Sequence, residues 1–434
     1  MPDDAAPLPP FLDLIDQASS AGDRLAGLRA NARMRYLASG WPHARTESWK
    51  YTSLNPLAAG QFASTGHGDT PVLPARPTID GPRLVLVNGV VRPDLSDLGD
   101  LGPGVRATRL ANGSDPDVRA LASIIEETDS TDGLPLAALS TATMLDVLVI
   151  DIAAGTVVER PLHVISAACG EGAALAPRIV IRAGADSVAT VMESHIADGP
   201  GFANAVCQVT LGQGAMLGHY RVQDQPDTSF HVGLTEVRAG ARSQYDNFVL
   251  STGSRLARNE IRGRIEGSGA EYRINGAYLG AGTQHLDTTT FIDHAAPGST
   301  SREVYKGVLT DRARGVFQGK ILVRSVAQKT DGYQMNRAML LSGRAEVDSK
   351  PELEIYADDV RCSHGATVGE LDPEQVFYLQ ARGISHETAR RLLVAAYVDE
   401  VLDEIRSEPV RQAMGQVARN WLGRVIGMPG EGRS

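Results

Sequence analysis

Apolar and polar positions change their period twice along this chain. In the first forty residues Leu25, Leu28, Ala32 and Tyr36 recur at helical spacing, and Gly40 with Pro42 supplies a stop. The aromatic, polar stretch WPHARTESWKYTSL (41–54) follows. A segment from Gly66 to Pro82, carrying Pro71, Pro74, Pro77 and Pro82, then reads as a linker. RLVLVNGVV (83–91) is the first strand signal. From about residue 141 to 365, short runs rich in Val and Ile are cut by glycine turns, and no helical period is sustained. IRAGADSVATV, LGQGAMLGHYRV, VRAGARSQYDNFVL and EGSGAEYRINGAYL each place Gly-Ala before a new alternating run, at Gly184, Gly214, Gly240 and Gly269. LLSGRAEVDS, around Gly343, repeats the motif more weakly. After Gly369 the helical period returns. Asp372 and Pro373 open a helix that Gly383 closes, and Ser385 caps a second. The second helix carries an apolar stripe of Ala389, Leu392, Leu393, Ala396, Leu402 and Ile405. Ser407 and Pro409 start a third that runs towards Trp421, and GMPGEGRS is expected to be a disordered tail.

The glycine spacings of 30, 26 and 29 residues fall in the range of stacked repeats. Each unit offers strands and turns but no helix, which leaves a parallel β-helix or a β-propeller. A propeller blade needs about 40 residues or more, so the shorter period favours the β-helix. A β-sandwich with recurring glycine turns is the alternative. The expected organisation is a helical N-terminal domain and linker over 1–82, a β-helix core over 83–365 and a helical C-terminal domain over 366–434. The repeats are regular from about residue 141.

Composition narrows the function. Forty-two basic and fifty-two acidic residues give a net charge of −10, the wrong sign for a surface that tracks phosphates. Three widely spaced cysteines argue against a disulfide framework and for a reducing compartment. The first twenty residues lack a basic, apolar leader, and no segment approaches the roughly 18 apolar residues of a membrane span. The chain therefore reads as cytoplasmic.

Few stretches suggest chemistry. GVFQGKIL (315–322) has three residues between its glycines, and Ile321 stands where a phosphate loop needs Ser or Thr, so nucleotide hydrolysis is excluded. Asp358 and Asp359 are neighbours, which on a strand point to opposite faces. Cys362 and His364 differ by two, so on a strand they share a face with Cα atoms about 6.6 Å apart. They can hold one metal but supply only two of the four ligands a tetrahedral ion needs; the alternative is that the pair only packs, as such a spacing more often does. Cys169 and Cys207 are not spaced as a ligand pair, and His285, Asp287 and His294 form a weaker candidate cluster. Four of the five lysines, Lys306, Lys320, Lys329 and Lys350, lie close in sequence. They read either as edge-strand protection or as a cationic field that keeps a nearby thiol ionised.

VFQGKILVRSVAQKTDGYQMNRAMLLS (316–342), PELEIYADDVRCSHGATVGELD (351–372) and FYLQARGI (377–384) together resemble the SufB/SufD family of iron–sulfur assembly scaffolds. YLGAGTQHLDTTTFIDH (278–294) fits the same family, and ESWKYTSL (47–54) with the modest length is closer to its SufD branch. One departure is DGYQ at 331–334, where Ala is expected after the aspartate. The resemblance implies a right-handed parallel β-helix flanked by helical domains. It implies a non-catalytic subunit that pairs with a SufB-like paralogue, or with its own copy in isolation. A SufC-like ABC-type ATPase would dock through the C-terminal helices. It also implies that His364 and Cys362 form half of a site for a nascent cluster shared with the partner, and it links flavin to the complex without locating it here. A β-helical carbohydrate-active lyase or hydrolase is the competing reading, and it calls for clustered acids.

Overall fold

The computed structural model describes residues 9–19, 23–64, 73–99, 101–112, 114–129 and 134–427. The tail from 428, and the stretch 65–72 of the expected linker, lie outside the described residues. The N-terminal helical pattern forms two helices, α1 (Leu12–Ser19) and α2 (Ala26–Ser39), with Leu25, Leu28, Ala32 and Tyr36 all buried. A short α3 (Asn55–Ala58) follows. RLVLVNGVV folds as the hairpin Arg83–Val87 and Val90–Val91, turning on Asn88 and Gly89, both at positive φ.

Two helices that the periodicity reading passed over come next, α4 (Asp115–Asp129) and α5 (Pro135–Thr143). The start of α4 is nevertheless written locally. The Ser114 hydroxyl accepts from the Asp117 amide at 3.4 Å while the Asp117 carboxylate accepts from the Ser114 amide at 3.0 Å, a reciprocal cap of the capping-box kind.

The rest is a two-sheet solenoid. The first sheet runs from the Val90–Val91 and Arg83–Val87 hairpin through Leu162–Ala168, Val188–Ala197, Met216–Asp224 and Gln244–Ser251. It continues through Glu271–Gly280, Thr300–Leu309 and Asp331–Leu340 to Arg361–Gly369. The second sheet runs from Val105–Arg109 through Leu148–Ile152, Arg178–Ala183, Gly201–Leu211 and Phe230–Ala239. It ends with Leu256–Ile265, His285–His294, Arg314–Val323 and Glu346–Ile355. From Leu162 onward consecutive long strands alternate between the sheets, and each pairs in parallel with the strand one coil away. This is the parallel β-helix the pattern predicts, with helices at both ends of the chain.

The register corrects the repeat. Val188, Met216, Gln244 and Glu271 align across the first sheet, so a coil takes about 28 residues. The irregular glycine spacings arise because the Gly-Ala pairs occupy two neighbouring corner positions. Gly184, Gly212, Gly240 and Gly267 form one column, where a Cβ on Gly267 would lie 2.0 Å from the Ala241 amide nitrogen. Two residues on, Asp186, Gly214, Arg242 and Gly269 form a column of left-handed residues. Gly343 lies in the opposite corner, between Asp331–Leu340 and Glu346–Ile355.

Between the sheets lies a continuous apolar core that includes Ile150, Ile181, Val191, Leu217, Tyr245, Tyr272 and Phe317. Full burial of each such side chain stabilises the fold by about 1.5–3 kcal/mol. At the C-terminus, α6 (Pro373–Ala381) starts where the Asp372 side chain accepts from the Glu374 amide, and α7 (His386–Leu402) where Ser385 accepts from Thr388. The last helix, α8 (Glu408–Ile426), ends on left-handed Gly427. Val394, Val398, Val401, Leu402 and Ile405 pack with Trp421 against Tyr220, Phe248 and Ala277 on the flank of the first sheet. Of the expected apolar stripe, Leu402 and Ile405 are buried in this way and Ala389 is buried elsewhere, while Leu393 is half-buried, Ala396 exposed and Leu392 45% exposed. No helix among the described residues is long and apolar enough to cross a membrane.

Candidate functional site

Arg361–Gly369 is the terminal strand of the first sheet. It pairs on one side with Asp331–Leu340, and among the described residues no strand pairs on the other. Cys362 lies in register with Gly332 and His364 with Gln334. All nine residues of this strand are exposed except Cys362 and Gly365, which are half-buried. A free, unprotected edge is a template for another chain. Tyr356 (65% exposed) precedes it, Val368 (52%) lies within it and Phe377 (71%) follows it.

The strand brings Cys362 and His364 onto one face, as their spacing predicts, but into different surroundings. Cys362 packs at the fringe of the apolar cluster of Ile321, Val323, Ala327 and Ala357. Gly332 makes room for it, since a Cβ there would lie 3.3 Å from Sγ. The departure from the family wording at DGYQ therefore sits directly beneath the sulfur. Burial pushes the Cys362 thiol up, a backbone hydrogen bond at Gly332 opposes this, and Asp331 adds to it. The chain alone thus favours the protonated thiol. His364 is exposed on the same strand.

Beneath His364 runs a polar column. Glu303 and Gln334 share its register, and the Gln334 amide donates to Glu303 at 3.2 Å. Glu303 is fully buried, and burial pushes its carboxyl up to about 7. Glu303 Oε2 and Gln334 Oε1 have no hydrogen-bond partner.

The remaining candidates are structural. Asp358 and Asp359 are both exposed, and Asp359 pairs with Lys329. Each of the four neighbouring lysines has an acidic partner, and Lys350 alone among them lies on a terminal strand, Glu346–Ile355, where edge protection fits. Lys306 reaches Glu400 at 2.7 Å and tethers α7, Lys320 reaches Glu354 at 2.7 Å, and Lys350 reaches Glu47 at 2.5 Å. His285, Asp287 and His294 do not converge on a site. Thr52 bonds both His285 and Asp287, Arg258 meets Asp287 at 2.7 Å, and Trp49 stacks under Arg258. That network latches ESWKYTSL to the solenoid. The two ring nitrogens of His294 are taken by Ser299 and Ser301. Cys169 is half-buried, and burial with nearby Asp198 pushes its thiol up to about 11.

Linear reading missed the interior. Glu193, Cys207 and His219 come from three different strands, and they form the group of metal-capable side chains found among the described residues. The 28-residue register, which sets Val191 against His219 and Glu193 against Arg221, brings Glu193 and His219 together in the sequence, but not Cys207, which lies on the opposite sheet.

Comparison with known proteins adds an independent finding. Residues 164–397 match the model of the SufBD core domain of the SUF system for FeS cluster assembly, and residues 12–164 match the SufBD protein N-terminal region. The chain is 31% identical to an iron–sulfur cluster assembly SufBD family protein of Synechocystis, over 90% of this chain and 87% of that one. It is 31% identical to the iron–sulfur cluster assembly protein SufD of Escherichia coli, over 87% and 88%. It is 28% identical to the chloroplastic protein ABCI7 of Arabidopsis thaliana, over 92% and 86%.

Proposed function

Because the chain belongs to the SufBD family of SUF-system iron–sulfur cluster assembly proteins, we propose that it is a non-catalytic, SufD-type scaffold subunit. It pairs with a SufB-like paralogue and with a SufC-like ABC-type ATPase, and the nascent cluster is its cargo. The observation that carries this reading is the open terminal strand bearing Cys362 and His364 on one face. The unpaired backbone of that strand offers hydrogen bonds to a partner, and exposed Tyr356, Val368 and Phe377 offer apolar area beside it.

His364 is the principal donor, because an exposed imidazole needs no rearrangement to meet a metal. Cys362 is the second. Its thiol must ionise, and a cation brought to the interface supplies the field that makes this favourable. Two ligands cannot hold a cluster, so the partner completes the set. The ATPase docks on what α6–α8 leave exposed, including Leu392 and Phe377, since the α7 face of Val394, Val398, Val401 and Leu402 already lies against the solenoid.

The test is cluster content of the anaerobically reconstituted complex, with thermal stability measured alongside. His364→Ala should abolish cluster formation while leaving the melting temperature near wild type, and Cys362→Ser should reduce it partially. Wild-type cluster yield from the His364→Ala complex would refute the site.

A further inference from the structure

Far from the open edge, the solenoid interior holds a compact set of polar side chains. His219 and Cys207 lie on strands of opposite sheets, and His219 is five strand spacings from the terminal strand, roughly 24 Å at about 4.8 Å per spacing. Glu193 Oε1 is 2.5 Å from His219 Nε2, and Cys207 Sγ is 3.9 Å from the same nitrogen. The donor atoms of all three lie within 4.8 Å of one another, and all three residues are buried. Donor atoms around a tetrahedral zinc-type ion stand about 3.5 Å apart, so the contact between Glu193 and His219 needs to open by only about 1 Å. The Tyr245 hydroxyl sits 2.8 Å from His219 Nδ1. It can accept from an Nδ1–H and leave Nε2 as a lone pair, the outer-shell arrangement that orients ligating histidines.

Unpartnered buried groups surround the set. The second oxygen of Glu193 meets His195 at 3.0 Å, and the His195 ring lies 5.0 Å from that of His231. His231 is fully buried, and neither of its ring nitrogens has a partner, nor does Nδ1 of His195. Gly233 keeps the space beside them open, since a Cβ there would lie 2.8 Å from His231 Nε2 and 3.3 Å from an Arg221 nitrogen. A hydrogen-bonded core network would leave few such atoms orphaned.

We propose that Cys207, His219 and Glu193 form a buried binding site for a single divalent transition-metal ion of the zinc type. Thiolate, imidazole and carboxylate together suit a borderline cation rather than calcium or magnesium. Loading replaces the Cys207 proton with a metal–sulfur bond and releases that proton to solvent, with no change in oxidation state. Burial and the neighbouring Glu193 push the Cys207 thiol up, and a bound cation reverses that. Burial also opposes charge on Glu193, but Arg221 and the two histidines outweigh it and hold its carboxyl well below the usual range. Arg221 stays on the carboxylate at 3.2–3.3 Å. Three protein ligands leave the fourth position open.

The full-length chain, expressed with zinc or cobalt in the medium and purified under reducing conditions, is analysed for metal after gel filtration. About one ion per chain is expected. Cys207→Ser and His219→Gln should each lower that at least tenfold. The double variant Cys169→Ser/Cys362→Ser, whose sole remaining cysteine is Cys207, should keep the ion and show a thiolate-to-cobalt charge-transfer band. The double variant decides the matter even if Cys207→Ser fails to fold. Metal below a tenth of an ion per wild-type chain, unchanged occupancy in Cys207→Ser, or no charge-transfer band in the double variant would overturn the site.

Discussion

Glu303 shows how a single side chain sets a pH dependence in this fold. Its folded pKa is about 7 against an ordinary 4.5, and burial is the chief cause. An acid with a raised pKa holds its proton longer when folded than when unfolded, so its contribution to stability is present below about pH 4.5 and lost as pH rises through 7. The span corresponds to about 3.5 kcal/mol at about 1.4 kcal/mol per unit. Glu303→Gln removes the titration while keeping the shape. Wild type should therefore lose stability relative to this variant as pH rises from about 5 to about 8, read from paired denaturant unfolding curves. Parallel curves would mean that the carboxyl ionises in the folded chain as freely as in water. Gly332 is the second residue of interest. Gly332→Ala presses a methyl on the Cys362 sulfur, and the adjustment should cost under about 1.5 kcal/mol because the edge can give. Labelling of Cys362 by a thiol reagent should change rate more than the melting temperature changes.

At the scale of elements, the corners and the C-terminal helices carry testable consequences. The left-handed column alternates glycine with Asp186 and Arg242, and a non-glycine residue there costs about 1–2 kcal/mol of backbone strain. Arg242→Gly should leave stability unchanged or slightly raised, whereas Gly214→Ala should lower it by about 1–2 kcal/mol. Equal destabilisation by both would show that the corner side chains, rather than the backbone, govern this turn. The helices α7 and α8 shield Tyr220, Phe248 and Ala277. A chain truncated at 371 would expose that flank, so it should bind a hydrophobic dye strongly and aggregate. A monomeric truncated chain with wild-type melting behaviour would show that the helices are merely appended. This differs from what the sequence pattern suggests, because the amphipathic stripe looks free until the sheet it covers is known.

For the whole molecule, the decisive feature is an array of stacked coils with one end unfinished. Solenoids ordinarily close with a polar cap, but here the last strand keeps Val368 exposed on an edge that no other strand among the described residues pairs with. Val368→Lys should weaken association with a SufB-like partner at least tenfold without moving the melting temperature, because Lys on an edge blocks pairing yet disturbs no core. Unchanged affinity by calorimetry would place the interface elsewhere. Much of this plan is legible in the chain itself. Period-2 runs broken by glycine turns, the Asp372 and Ser385 caps and the same-face spacing of Cys362 and His364 are all local, so sequence alone pointed to a repetitive β core, favouring a β-helix over a sandwich, and determined the C-terminal helices and the shared face of the candidate pair. The true coil length, the latch of Thr52 onto His285 and Asp287, and the partial burial of Cys362 under its neighbours required the folded register. So did the meeting of Glu193, Cys207 and His219. Contacts between coils join residues about 28 positions apart, and contacts across the interior join strands of opposite sheets. No local pattern encodes which side chains meet there, and only the tertiary structure decided it.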